Sequence, residues 1–227
     1  MKKLGIIGGM GPLATAFFYR KVVEKTPAER DQQHIETIIV SGPSIPGRVD
    51  YILGRSADSP VPNIRRIVRT LENAGAERIV MPCVTAHYFY PEICEGFSVQ
   101  ILNLLSEIAA YFAEKKIRRA GVLATSATIR SNVLQNDRGL NGTELLFPDE
   151  WEMEETDRII FRQIKAGKEA DTKTLQGIAD HLVRRGAEQI LVACTDLCVL
   201  SPSEWMNGPV TDVLDILAEA AVRECLR

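Results

Sequence analysis

The sequence predicts an α/β protein made of two similar doubly wound parallel-sheet domains related by a pseudo-twofold axis. Three observations lead there. Short apolar runs rich in β-branched residues (Ile6-Ile7, Ile38 to Val40, Ile79-Val80, Ile190 to Val192) alternate with segments of helical period at 60–74, 104–115, 151–166 and 172–185. A strand is also written twice: G-A-E-R-I-V-M-P-C-V-T-A at 75–86 returns as G-A-E-Q-I-L-V-A-C-T-D-L at 186–197, 111 residues later from Cys83 to Cys194. Finally, K-K-L-G-I-I-G at 2–8 is echoed by R-R-A-G-V-L-A at 118–124 (offset 116), and I-L-N-L-L-S-E-I-A-A at 101–110 by V-L-D-I-L-A-E-A-A-V at 213–222 (offset 112). Matches in one order at nearly one interval argue for two related halves.

From the amino terminus, K-K-L-G-I-I-G reads as a strand, and Gly8, Gly9, Gly11 and Pro12 as a turn and helix start. These glycines break the apolar run that would otherwise imitate a signal peptide. A second strand, E-T-I-I-V, ends at Ser41, and the helix over 60–74 leads to the first cysteine strand. A boundary is expected near residue 98, giving a first domain of residues 1–98 plus 208–227, with the last helix returning to it, and a second domain of residues 99–207. Acids in D-E-W-E-M-E-E-T-D (149–157) suit a solvated helix start, where they favour the positive end of the dipole.

The totals narrow the function. The chain has 227 residues, 45% hydrophobic and 25% charged, with a formal net charge of −3. No basic excess is present to neutralise phosphates, which argues against nucleic acid or an anionic membrane surface as partner. No window of 18 apolar residues occurs. Five cysteines (83, 94, 194, 198, 225) form an odd number without framework spacing, so free thiols in a reducing cytoplasm are expected.

In open parallel sheets ligands lie beyond the carboxyl ends of the strands. Cys83 and Cys194 sit there, each where a strand hands over to a turn or helix whose N-terminus favours a thiolate. Buried packing at a strand end is the plain alternative. If the halves face each other, the two thiols meet across one cleft. Thr85 and Thr195 add hydroxyls beside them. Such a pair suits a reaction whose product is the mirror image of its substrate: one sulfur removes a proton from one face of a carbon, the other delivers a proton to the opposite face, and the roles exchange in reverse. Charge developing on the substrate carboxylate calls for preorganised donors, such as backbone amides at the strand-end turns.

At these residues the chain resembles a known family. G-G-M-G-P-L-A-T (8–15), P-C-V-T-A-H (82–87), L-A-T-S-A-T-I (123–129), I-K-A-G (164–167) and A-C-T-D (193–196) together look like the aspartate/glutamate racemases, over essentially the whole chain. The resemblance implies racemisation of aspartate or glutamate by the Cys83–Cys194 pair with no cofactor and no metal. It also implies that Arg48 and Lys165 bind a substrate carboxylate, that Met10, Thr85, Thr125, Ser126 and Thr195 line the pocket, and that the protein is a homodimer. Where the family usually reads P-C-N-T-A-H, G-C-T-E and D-R-T, this chain has Val84, Asp196, and Gly47-Arg48-Val49. A same-fold isomerase or racemase with another substrate, and an inactive amino-acid-binding homologue, stay open.

Other signals are weaker. Gly9-Met10-Gly11-Pro12-Leu13-Ala14 fits a dinucleotide fingerprint, but the second strand ends at Ser41 without the acid that a ribose needs. Cys194 and Cys198 with His87 or His181 could suggest a metal, yet the spacing favours a core thiol at Cys198. His181 reads as solvent-facing. His87 either orients the cysteine loop or caps it. Tyr88-Phe89-Tyr90 is an aromatic patch for packing between domains or subunits. No G-x-S-x-G elbow occurs.

Overall fold

A computed structural model describes residues 1–227. The chain runs β1 (Leu4–Gly8), α1 (Pro12–Lys25), β2 (Thr37–Ser41), α2 (Arg48–Ile52), α3 (Val61–Asn73), β3 (Arg78–Val80), α4 (Tyr90–Cys94), β4 (Gln100–Ile101) and α5 (Leu104–Lys115). It continues with β5 (Arg119–Leu123), α6 (Ser126–Arg130), β6 (Glu144–Leu146), α7 (Glu150–Arg162), α8 (Thr172–Arg184), β7 (Gln189–Val192), α9 (Thr195–Cys198), α10 (Pro202–Trp205), β8 (Val210–Asp212) and α11 (Val213–Leu226). Two compact units result: residues 1–104 with 214–227, and residues 105–213. No helix is long and apolar enough to cross a membrane.

The first unit is built on a four-stranded parallel sheet of order β2-β1-β3-β4. β1 is buried along its whole length, as expected of a central parallel strand covered on both faces. α3 buries Ile64, Ile67, Val68 and Leu71, the i, i+3, i+4, i+7 stripe of an amphipathic helix. Complete burial of side chains of this size contributes roughly 1.5–3 kcal/mol each. Alternation along the cysteine strand turns Ile79, Met81 and Cys83 into the same apolar cluster as this helix stripe. The carboxy-terminal helix joins this unit: the Lys2 N–H donates to the Cys225 carbonyl at 2.7 Å, and Lys21 and Lys25 of α1 pair with Asp215 and Glu219 at 2.9 Å each.

The second unit repeats the plan, with a parallel sheet of order β6-β5-β7-β8. The repeat extends to individual contacts. Leu4 pairs with Arg78 and Gly5 with Ile79; 116 and 111 residues on, Ala120 pairs with Gln189 and Gly121 with Ile190. The stripe of α3 recurs in α8 as Leu175, Ile178, Ala179 and Leu182. One glycine in each central strand marks where the helix comes closest. A Cβ on Gly5 would lie 3.0 Å from Ala76 Cβ, 3.1 Å from Ile79 Cγ1 and 3.3 Å from Leu71 Cβ. On Gly121 it would meet Ile190 Cδ1 at 2.8 Å, Leu182 Cβ at 2.9 Å and Ala187 Cβ at 3.2 Å, the same neighbours one repeat later.

Two details differ from the sequence reading. The last strand and helix of each half match at an offset of 109: Ile79 pairs with Ile101 and Ile190 with Val210, and the helices begin at Leu104 and Val213. The offset of 112 is three residues out, a shift close to one helical turn that keeps apolar residues in phase and so imitates a match. The unit boundaries, at 104/105 and 213/214, lie six residues beyond the expected 98 and 207, because each closing strand stays with the sheet of its own unit.

Gly121→Ala should lower the unfolding free energy by about 1–3 kcal/mol through overpacking, measured by urea denaturation. Gly5→Ala, whose new methyl has a few tenths of an ångström more room, should cost less.

Candidate active site

In the first unit the site begins where β1 ends. Gly9 has φ +93°, and a Cβ there would come within 2.5 Å of the Gly42 backbone, so only glycine fits this turn. The Gly9 N–H donates to Thr15 Oγ1 at 2.9 Å, and that hydroxyl donates to the Gly11 carbonyl at 2.8 Å. The turn presents the Met10 carbonyl to Arg48, the first residue of α2, whose Nη2 donates to it at 3.1 Å while Nη1 donates to the Pro46 carbonyl at 3.3 Å. Arg48 Nε is buried without a partner. The structure therefore joins Met10 and Arg48, through a main-chain carbonyl.

Cys83 follows β3 in a tight turn, its N–H donating to the Met81 carbonyl at 2.7 Å. The thiol is 5% exposed and packs with Met10, Ile45, Ala86 and Phe89. The segment after it is a 3-10 turn over Thr85–Phe89, the tighter of the turn or helix expected at each cysteine. Thr85 is buried on that turn. His87, also buried, lies 2.9 Å from the Cys83 carbonyl through Nδ1, and its Nε2 accepts the Leu104 N–H at 3.1 Å. A carbonyl only accepts and an amide N–H only donates, so the ring is the neutral Nδ1–H tautomer. Burial moves its pKa from 6.5 down to about 4. His87 thus holds the cysteine loop through the Cys83 carbonyl and ties it to the amide at Leu104, a partner the sequence did not indicate. Of the aromatic patch, Tyr88 is 48% exposed while Phe89 is buried, and the Tyr90 hydroxyl donates to the Ile101 carbonyl at 2.6 Å. Two of its three rings are thus used inside the first unit.

In the second unit β5 and β7 end side by side, Leu123 opposite Val192. Thr125 is the N-cap of α6, its hydroxyl accepting the Thr128 N–H at 3.3 Å. Ser126 donates both its N–H and its hydroxyl to Asp157 of α7. Thr195 is 3% exposed. Cys194 is the N-cap of α9, its carbonyl accepting the Leu197 and Cys198 N–H groups at 2.9 and 3.2 Å. The expectation of a favoured thiolate fails here. Burial, then the charge of Asp196, push the Cys194 pKa up to about 12 against the opposing pull of the Leu197 and Asp196 amides and Lys165. One short turn of helix does not offset the loss of water. Cys198 is a fully buried thiol donating to the Cys194 carbonyl at 3.3 Å.

Lys165 also differs from its sequence reading. The helix expected to run to 166 stops at Arg162, and residues 164–166 form a separate 3-10 turn closed by left-handed Gly167. From that turn Lys165 Nζ reaches Asp196 Oδ2 at 2.7 Å. Sequence reasoning missed Asp196 as a partner of Lys165 and Asp157 as the anchor of Ser126. The acid following A-C-T was the one available signal.

A second polar cluster lies on α7 and α8. Glu152, 1% exposed, takes part in a capping box with Asp149 and lies 2.8 Å from His181 Nδ1. His181 is therefore paired, not simply facing solvent, and Glu152 does not belong to a solvated face. Asp149, Glu152 and His181 bring three ligand atoms within 4.8 Å of one another, beside a groove of about 450 Å³ bordered by Trp151 and Arg184. Both Glu152 oxygens are already engaged, by the Asp149 N–H and by His181, so the cluster is satisfied as a helix cap.

Comparisons with known proteins agree with this architecture. A sequence profile of the Asp/Glu/hydantoin racemases matches residues 7–221. The chain is 28% identical over 223 residues to the broad specificity amino-acid racemase RacX of Bacillus subtilis (strain 168), covering 96% of each. Among solved structures, Picrophilus torridus aspartate racemase superposes with a TM-score of 0.86 at 29% identity, over 99% of this chain and 94% of that one. Glutamate racemase RacE1 from Bacillus anthracis shares the fold, with a TM-score of 0.67 at 14% identity, over 99% and 82%.

His87 makes stability depend on pH. Its folded pKa is depressed, so the stabilisation is present above 6.5 and is lost as pH falls through about 4. The loss should be on the order of 3 kcal/mol. The difference in unfolding free energy between wild type and His87→Gln, followed by circular dichroism from pH 7 to 4, should carry this slope.

Proposed function

The chain belongs to the Asp/Glu/hydantoin racemase family, and from that premise we propose that it racemises an amino acid without a cofactor, Cys83 and Cys194 forming its acid–base pair. The observation that carries this reading is the repeat itself: both cysteines stand 111 residues apart at the same point beyond equivalent strands, whose partner residues also correspond. Packing alone does not require sulfur in both copies, whereas proton exchange on opposite faces of one carbon does require two equivalent groups.

In one direction the Cys83 thiolate takes the α-proton. The carbon–hydrogen bond breaks, its electron pair delocalises into the substrate carboxylate, and a sulfur–hydrogen bond forms. Cys194, held as a neutral thiol by burial and by Asp196, gives its proton to the opposite face and becomes the thiolate. The reverse direction exchanges the roles. Arg48, with a buried and unpartnered Nε, is the group best suited to the α-carboxylate, since guanidinium geometry matches carboxylate. Thr85 and Thr195 stand next to the two cysteine loops, while Thr125 and Ser126 are tied to α6 and Asp157 and act by fixing the loop shape. Aspartate and glutamate are the substrates that the family resemblance implies. A homodimer belongs to the same reading, with sedimentation velocity as its measurement. Placement in a reducing, cytoplasmic compartment is proposed from five thiols without a disulfide.

Incubation with single-enantiomer amino acids in heavy water should move deuterium onto the α-carbon during interconversion. Cys83→Ser and Cys194→Ser should each lower interconversion by about 10²–10⁴-fold, with thermal melts confirming that both variants fold. Full interconversion in either variant rules out the pair.

A further inference from the structure

The groove along α7 and α8 takes no part in the proposed racemisation, and all of its lining belongs to the second unit. On α8, Thr174, Gly177, His181 and Arg184 follow one another at spacings of three or four residues, so they share one stripe of the helix. Trp151 and Glu152 of α7 complete the lining.

Gly177 is the unexplained residue of that stripe. It sits inside α8 (Thr172–Arg184), where glycine is the costliest residue after proline. Its backbone is ordinary right-handed helix, and a Cβ built there would meet nothing within 4 Å. Neither conformation nor crowding calls for glycine. The helix forgoes stability at a place where a side chain would fill the groove.

Two side chains there have no partner. Trp151 is 60% exposed and its indole N–H donates to no group of the protein. Arg184 forms neither an ion pair nor a hydrogen bond. The neighbouring charges are engaged: Asp149 lies 3.5 Å from Arg185, and Glu152 is held by the Asp149 N–H and by His181 Nδ1. Arg184 is thus the cation of the groove without a counter-ion. A volume of about 450 Å³ falls within the range of small-molecule sites. An indole face beside bare helix backbone suits a flat ring, and a free guanidinium suits an anion.

We propose that this groove is a ligand site for a planar aromatic ring carrying a carboxylate or a phosphate, with Trp151 against the ring, Arg184 on the anion and Gly177 leaving the room.

The probes are phenylacetate and adenosine monophosphate, each compared with its uncharged ring (benzyl alcohol, adenosine) and its ringless anion (acetate, inorganic phosphate). Binding is read by calorimetry on wild type and by Trp151 fluorescence in Trp205→Phe, Trp151 and Trp205 being the two tryptophans of the chain. At least one aromatic anion should bind about tenfold or more tightly than both of its counterparts. Arg184→Gln should raise that Kd by about tenfold and leave the neutral ring unaffected. Gly177→Leu should weaken binding by about tenfold or more while raising the melting temperature by about 2–4 °C, because leucine is the better helix former. That gain also shows that the variant folds. Equal affinity for the uncharged rings, binding retained in Gly177→Leu, or no binding of either aromatic anion at millimolar concentration overturns the site. Loss of binding in Arg48→Gln but not in Arg184→Gln places the probe beside Cys83 and overturns it too. So does shielding of Trp151 from iodide in a ligand-free dimer, seen alongside sedimentation velocity, which makes the groove a subunit contact.

Discussion

The positions of both sulfurs depend on a helix lying so close to each sheet that a side chain beneath it would press on its neighbours. Gly5 under Leu71, and Gly121 under Leu182, set the depth at which α3 and α8 rest. The same helices end in turns that feed the cysteine strands, and Ala76 and Ala187 of those turns touch the same two glycines. Strand register is thereby locked to helix position: a one-residue slip would turn the alternate residues of β3 or β7 to the opposite face. Sheet, helix and cysteine loop thus form one mechanical unit, written twice.

Matched backbones do not make matched surroundings. Cys83 lies in an apolar cluster, and its loop is held by an uncharged imidazole through one carbonyl. Cys194 feels the charge of an acid and of the lysine paired to that acid. The duplication supplies equivalent backbones, while at Cys194 burial and the Asp196 charge push the thiol up so that it holds its proton.

Much of this was legible in the sequence because repeats and periodicity are local patterns. The cysteine strands, their 111-residue offset and the parallel α/β class follow from residues adjacent in the chain. What failed involved near-degenerate periods or distant partners. A slip of three residues in the last helix is almost invisible to an apolar pattern of period 3.6. The end of α7 at Arg162 was hidden because Ile164 and Ala166 continue an apolar rhythm that a separate turn also satisfies. Lys165 and Asp196 are brought together by tertiary structure alone, as are Glu152 and His181, and no single-sequence signal pairs one acid with one base across that separation.

Asp196 acts on two neighbours at once, Cys194 and Lys165. Its carboxylate stands close enough to Cys194 to raise the energy of the thiolate, and close enough to Lys165 to hold the charge that would lower it. Removing the negative charge therefore changes two quantities together: the Lys165 ammonium loses its partner, and the thiol beside it gives up its proton more readily.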